Sequence, residues 1–127
     1  FMQEHADPRC RPFDDAFDPL FTFMHDVPRD VAEESGAHVR DQSGTPFEKV
    51  WPLDRWPDVP TKVLLGREDR FFPPEFLGPV SRERLGVVPD EMPGGHLVAL
   101  SRPKELAERL EKYRADLLLD DVFRGSE

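Results

Sequence analysis

A short apolar run at residues 61–66, Thr-Lys-Val-Leu-Leu-Gly, most constrains what this chain can fold into. It is bounded by a proline and a glycine, which is typical of a strand buried on both faces of a parallel sheet. A helical pattern over residues 75–85, a second strand over 87–92 and an amphipathic helix over 104–118 follow it. The order strand, helix, strand, helix predicts an α/β fold with parallel strands and right-handed crossovers.

The first half of the chain is predicted to be largely irregular, because many of the 14 prolines interrupt it. We expect loop, or loop with one helical turn, over residues 1–20 and a linker over 41–60. Between them, the aromatic run at 21–25 predicts a short strand. A helix is then predicted with Asp26 as its cap and Pro28 in its first turn, and it is expected to end near Gly36.

Charge and composition exclude several classes of partner. The net charge is −9, so the chain has no basic stripe for a phosphate backbone, and we expect no nucleic-acid partner. No apolar run approaches the roughly 20 residues of a membrane span, and we expect no membrane contact. The single cysteine, Cys10, excludes an internal disulfide and has no metal-ligand spacing, so we expect no metal and a reducing, cytoplasmic compartment.

Two loops at the carboxyl ends of the predicted strands hold the candidate chemistry. The first contains Asp69, and the second contains His96 after two glycines. Side chains at the ends of neighbouring parallel strands converge, so this aspartate and this histidine can meet. A carboxylate in that position fixes the imidazole tautomer and supports the imidazolium that forms when histidine takes a proton from a nucleophile. A turn aspartate can instead be solvated or pair with Arg67 or Arg70.

Three motifs carry a family resemblance: Gly-Arg-Glu-Asp-Arg at 66–70, Arg-Leu-Gly at 84–86 and Gly-Gly-His-Leu-Val-Ala-Leu-Ser-Arg-Pro at 94–103. This part of the chain resembles the final third of α/β-hydrolase fold enzymes, in which the triad order is serine, acid, histidine. The resemblance implies that Asp69, and not its neighbour Glu68, is the triad acid. It also implies that His96 is the triad base and that no cofactor is required.

The upstream part is similar to the lid segment of a bacterial subgroup close to the plant methyl-ester esterases, through the motifs at 23–28 and 51–53. The resemblance divides the chain into a lid segment and linker over residues 1–57 and the C-terminal part of the hydrolase core over 58–127. The expected fold class is therefore α/β, the C-terminal part of an α/β-hydrolase sheet with parallel strands and crossover helices, plus a lid segment.

The sequence departs from the family at the nucleophile. It contains no Gly-x-Ser-x-Gly, and none of its serines lies in a strand-to-helix elbow. The family's oxyanion-hole loop is missing too, so we expect no acyl transfer by the chain alone. Our first hypothesis is that the parent protein is a serine-type hydrolase of small-molecule esters or related acyl compounds. A lyase or haloperoxidase reaction on the same triad is a close variant.

The alternative hypothesis is a non-catalytic fragment or degenerate paralogue that serves as a binding or assembly module. A two-strand remnant would expose a hydrophobic sheet edge. We therefore expect the chain to aggregate, to form a homo-oligomer through that edge or to need a partner that completes the sheet.

Several of the remaining candidates are open to two interpretations. Five aromatic residues either line an acyl pocket or belong to an ordinary core: Trp51, Trp56, Phe71, Phe72 and Phe76. Ser101 is predicted to cap the last helix, since a proline follows at the first helical turn. His25 and His38 are predicted to be structural or exposed.

Overall fold

The computed structural model describes residues 15–50 and 52–124. Two residues discussed above, Cys10 and Trp51, lie outside this part, as do residues 1–14 of the predicted N-terminal loop. The elements, in chain order, are α1 (Pro19–Phe23), α2 (Arg29–Ala37), α3 (Thr45–Glu48), β1 (Leu64–Gly66), α4 (Pro74–Leu85), β2 (Asp90–Met92), α5 (Val98–Ser101) and α6 (Pro103–Arg124).

The two strands pair in parallel, as the sequence predicts. Leu64 is opposite Asp90 and Gly66 is opposite Met92. The pairing continues past the strand, since the Arg67 N–H donates to the Met92 carbonyl at 2.9 Å. The parallel ladder requires a crossover between the strands, and α4 provides it. The order strand, helix, strand, helix is therefore confirmed, and both strands end at the same edge of the sheet.

Helix α4 runs over the predicted range in spite of its internal Pro79. Pro74 occupies the first turn, where a missing amide costs nothing. Gly86 ends the helix in the left-handed conformation, with φ of 66°, and its N–H donates to the Arg82 carbonyl at 3.1 Å. This is the glycine C-cap that the sequence predicts.

The strand predicted over residues 21–25 is wrong. Residues 21–23 belong instead to α1, because Asp18 caps this helix and Pro19 fits its first turn, and Met24 follows as its C-cap. Asp18 Oδ1 accepts hydrogen bonds from the N–H groups of Leu20 at 2.9 Å and Phe21 at 3.2 Å. These two bonds satisfy donors at the helix start, so the aromatic run is helical despite its strand propensity.

Two predicted helix caps are also wrong. Helix α2 begins at Arg29, so Pro28 is its cap residue and not part of its first turn. No side chain caps this helix, so Asp26 does not cap it. Ser101 lies inside α5, and its buried Oγ makes no hydrogen bond with any described residue. The following helix, α6, is longer than the predicted range of 104–118.

The core of the described residues is thin. Its buried apolar side chains are Val27, Ala32, Leu65 and Met92. Helix α6 is joined to β2 by a hydrogen bond of 2.7 Å from the Tyr113 hydroxyl to Asp90 Oδ2. Within the described ranges, no helix is both long and apolar enough to cross a membrane.

Candidate active site

Asp69 lies directly beyond the carboxyl end of β1. A turn after the strand places it, with the Asp69 N–H donating to the Gly66 carbonyl at 3.2 Å. Its Oδ1 accepts hydrogen bonds from the N–H groups of Phe71 and Phe72, each at 2.9 Å. An aspartate that bonds to backbone amides two and three residues ahead closes a local turn, so the orientation of this carboxylate is fixed.

His96 follows β2 on a turn that only small residues can form. Gly94 has φ of 127°, a conformation that side chains rarely adopt. A Cβ on Gly66 would lie 2.5 Å from the Gly94 carbonyl oxygen and 2.7 Å from that of Gly95. The end of β1 and the turn before His96 are therefore in direct backbone contact, which brings the two loops together.

The structure places Asp69 and His96 within hydrogen-bond distance. His96 Nδ1 lies 3.0 Å from Asp69 Oδ2 and 3.3 Å from Oδ1. The side chain of His96 is 25% exposed and that of Asp69 is 11% exposed. The pair is therefore largely shielded from solvent, while the imidazole still reaches the surface. An ionised carboxylate only accepts, so Nδ1 carries the proton and Nε2 of the neutral imidazole is the basic nitrogen.

The electrostatics of Asp69 favour its ionised form. Partial burial raises the pKa of this carboxyl. The hydrogen bonds from His96 and from the Phe72 and Phe71 amides, together with the charge of His96, outweigh that effect and bring the pKa below its ordinary value. A carboxylate that stays charged near neutral pH can stabilise an imidazolium on His96.

Three phenylalanine rings surround the imidazole of His96. The ring centroids of Phe23, Phe71 and Phe72 lie 5.0, 5.3 and 5.6 Å from that of His96. Phe76 extends the cluster by stacking on Phe72 at 6.4 Å. Of the aromatic residues singled out from the sequence, Phe71 and Phe72 thus lie against the histidine. Phe23, from α1, was placed in a strand by the sequence pattern and was missed as a contact of His96.

Trp56 lies elsewhere. Its indole N–H donates to Thr61 Oγ1 at 2.9 Å, in the loop before β1, and the residue is 42% exposed. The structure therefore does not bring Trp56 to the histidine.

Two further residues bond to the turn before His96, a third contacts one of them, and the sequence pattern did not reveal their roles. Glu68 Oε2 accepts from the Gly94 N–H at 2.5 Å, and Asp26 Oδ2 accepts from the Gly95 N–H at 2.7 Å. His25 Nε2 lies 2.9 Å from the carbonyl oxygen of Glu68. Glu68, the alternative acid in sequence terms, therefore bonds to the turn and Asp69 to the imidazole.

The neighbouring arginines bind elsewhere. Arg67 pairs with Glu91 across the sheet at 3.5 Å. Arg70 donates to the Phe21 carbonyl at 3.1 Å and lies over the Phe21 ring at 4.1 Å. Both arginines therefore have structural contacts of their own, and neither of these contacts involves Asp69. No cluster of three or more metal-binding side chains occurs within residues 15–50 and 52–124.

A parallel α/β sheet in which neighbouring strands end in a hydrogen-bonded aspartate and histidine is the arrangement of an α/β-hydrolase. A model of the alpha/beta hydrolase family matches residues 2–109, which is most of the chain, and the chain belongs to this family. Searches of curated proteins and of solved structures returned no match. Family membership supports a hydrolase-type function, and the described residues carry a two-stranded parallel part of that fold.

Proposed function

We propose that Asp69 and His96 are the acid and the base of a serine-hydrolase triad that acts on small esters or related acyl compounds. The observation that carries the proposal is the hydrogen bond of 3.0 Å between Asp69 Oδ2 and His96 Nδ1, which leaves Nε2 as the basic nitrogen. The order of the two residues in the chain, acid before histidine, matches the family order.

In this mechanism, His96 Nε2 removes the proton of a serine hydroxyl as the serine oxygen attacks the ester carbonyl. The imidazolium then returns the proton to the leaving alcohol, and an acyl-enzyme remains. Water, deprotonated by the same nitrogen, attacks the acyl carbonyl; the imidazolium then protonates the serine oxygen as the acyl–oxygen bond breaks, and the acid leaves. Asp69 keeps the proton on Nδ1 throughout and stabilises the imidazolium.

The serine in this proposal comes from polypeptide other than these 127 residues, which contain no Gly-x-Ser-x-Gly. We further propose that residues 1–57 form a lid and linker, and that the protein is related to the bacterial relatives of methyl-ester esterases. The contact of Phe23 with His96, at 5.0 Å between ring centroids, supports a lid that borders the site.

The test uses the protein purified from its source, with substitutions made at the gene, so that every polypeptide of the enzyme is present. A fluorophosphonate probe and a chromogenic ester report on the nucleophile and on turnover. We expect serine labelling in the unaltered protein and its loss in His96→Ala. Asp69→Asn reverses the imidazole tautomer, because its amide donates, and should lower kcat by about 10³- to 10⁴-fold.

His38→Ala is the matched control, since this exposed histidine ends α2 away from the pair, and it should keep full activity. Labelling that survives His96→Ala, or ester turnover that survives both substitutions, would contradict the proposal. Complete absence of labelling and turnover in the unaltered protein would favour the non-catalytic alternative.

A further inference from the structure

Two carboxylates from distant parts of the chain hold consecutive backbone amides of the turn that carries His96. Glu68 binds the N–H of Gly94 at 2.5 Å, and Asp26 binds that of Gly95 at 2.7 Å. Asp26 reaches across 69 residues of sequence to do so. Hydrogen bonds in which one partner is charged are roughly twice as strong as neutral ones, so these are strong restraints on the turn.

The turn needs such restraints because it consists of glycines. Glycine samples more backbone conformations than any other residue, and Gly94 is held at φ of 127°. The Gly95 N–H belongs to the peptide that joins Gly94 to Gly95. The next peptide joins Gly95 to His96. A bond to that N–H therefore limits the directions in which the imidazole can point toward Asp69.

Asp26 is itself held in place. Its neighbour His25 contacts the Glu68 carbonyl at 2.9 Å, and Val27 on the other side is buried. The fit to Gly95 is close: a Cβ there would lie 2.7 Å from Asp26 Oδ1 and 2.6 Å from His25 Nε2. Both sides of the contact therefore contribute to it, since the neighbours of Asp26 are held by contacts and Gly95 has no side chain to obstruct it.

The two oxygens of the Asp26 carboxylate differ in their surroundings. Asp26 Oδ1 is buried and has no hydrogen-bond partner among the described residues. A buried polar atom without a partner costs free energy, and this cost accompanies the bond that Oδ2 makes to the Gly95 N–H. The oxygen that does bond is aimed at the residue next to His96.

We propose that Asp26 is a positioning residue for His96, acting through the Gly95 amide. The segment before α2 thereby sets the geometry of the Asp69–His96 pair at the carboxyl end of the sheet. The proposal rests on the proposed function only in its catalytic consequence, since the effect on the imidazole is measurable without turnover.

The first measurement is NMR of the histidine ring protons in the protein purified from its source. A proton shared between His96 Nδ1 and Asp69 gives a downfield resonance that exchanges slowly with water, and Asp69→Asn identifies it by removing it. We expect Asp26→Ala to abolish this resonance or to speed its exchange at least tenfold. Asp26→Asn retains an oxygen that accepts from Gly95, and it should preserve the resonance.

Two further variants make the result interpretable. Asp30→Ala, in the exposed first turn of α2, is the matched control and should leave the resonance unchanged. Gly95→Ala forces a Cβ against Asp26 and His25 and should reproduce the loss while Asp26 is intact. If Asp26→Ala fails to fold by circular dichroism, the pair Gly95→Ala and Asp26→Asn still decides the question.

The second measurement is ester kinetics of the protein purified from its source. Asp26→Ala should lower kcat by roughly tenfold to a hundredfold with little change in KM, because small misplacements of a catalytic group have effects of that size. An unchanged His96 resonance in folded Asp26→Ala overturns the positioning role whatever the kinetics show. A lost resonance in Asp26→Ala, combined with turnover that survives His96→Ala, upholds the positioning role and refutes the proposed function.

Discussion

Gly66 is in such close contact with Gly94 that a methyl group on the first would lie 2.5 Å from the carbonyl oxygen of the second. The same methyl group would lie 2.7 Å from the Gly95 carbonyl oxygen. Both obstructing atoms belong to the backbone, so no side-chain rotation relieves the overlap. The last residue of β1 and the turn before His96 can meet only without a side chain at position 66.

Gly66→Ala is therefore expected to push the histidine turn away from the strand. Overpacking against backbone lowers the free energy of unfolding by about 1–3 kcal/mol, and the Asp69–His96 hydrogen bond should lengthen or break with it. Gly36→Ala is the matched control, because no atom lies within 4 Å of its added Cβ and it is inside α2. Alanine there should raise the stability by about 0.5–1 kcal/mol. Urea unfolding of both variants measures the difference, and equal effects would contradict this view of the contact.

The lowered pKa of Asp69 predicts an acid-sensitive stability. Its ordinary value is 3.8, and the folded value is lower, so the unfolded chain takes up the proton first as the pH falls. The contribution of Asp69 is thus fully present above pH 3.8 and is lost as the pH drops through the folded pKa. Asp69→Asn should unfold with a shallower dependence on acid than the unaltered chain. Asp58→Asn, in an exposed loop, should unfold with the same dependence on acid as the unaltered chain. Identical acid profiles for the unaltered chain and both variants would refute the lowered pKa of Asp69.

Tyr113 offers a prediction at the opposite end of the pH scale. Partial burial, the hydrogen bond to Asp90 and the charge of Asp90 raise its pKa from 10.0 to about 12. The phenol therefore contributes stability below pH 10 that is lost as the pH rises toward 12. It is the single tyrosine of the chain, so tyrosinate absorbance reports on it alone. Asp90→Asn should shift the titration toward 10.0, and a curve that does not move would contradict the hydrogen bond.

The exposed edges of the sheet predict self-association. The sheet of the described residues has two strands, and large apolar side chains such as Val88 and Leu110 are 71% and 53% exposed. Unpaired strand edges and apolar surface favour pairing with a second copy or with another polypeptide. We expect the mass of the isolated chain to rise with concentration in light scattering. A monomer that unfolds cooperatively at every concentration would exclude this.

The second half of the fold could be predicted from local signals. The strand that ends at Gly66 and the helix that ends at Gly86 are each defined by a proline, a glycine and an apolar pattern within one segment. Their parallel pairing follows from the order of the elements. The meeting of Asp69 and His96 follows in turn, because neighbouring parallel strands end at one edge.

The first half was harder to predict because two signals compete there. The aromatic run after Leu20 favours a strand, while Asp18 and Pro19 before it favour a helix start, and the capping bonds decide the outcome. Giving the Asp-Pro pair more weight would have yielded the helix.

The role of Asp26 had no local signal at all. An aspartate just before a helix is typical of a cap, and its actual partner, Gly95, is distant in sequence. Such a pairing depends on how the segment before α2 packs against the sheet, which no short pattern records. The same holds for Glu68, whose side chain differs from that of Asp69 by one methylene and has a different partner.

The carboxylate of Asp69 divides its two oxygens between separate tasks, since Oδ1 accepts from the Phe71 and Phe72 amides and Oδ2 is the closer oxygen to His96. A substitution at this position therefore disturbs the loop and the hydrogen bond to His96 together. Glutamate carries the same charge, but its extra methylene would move at least one oxygen off its partner. We therefore expect that Asp69→Glu keeps both sets of hydrogen bonds only if the length of the loop that follows also changes.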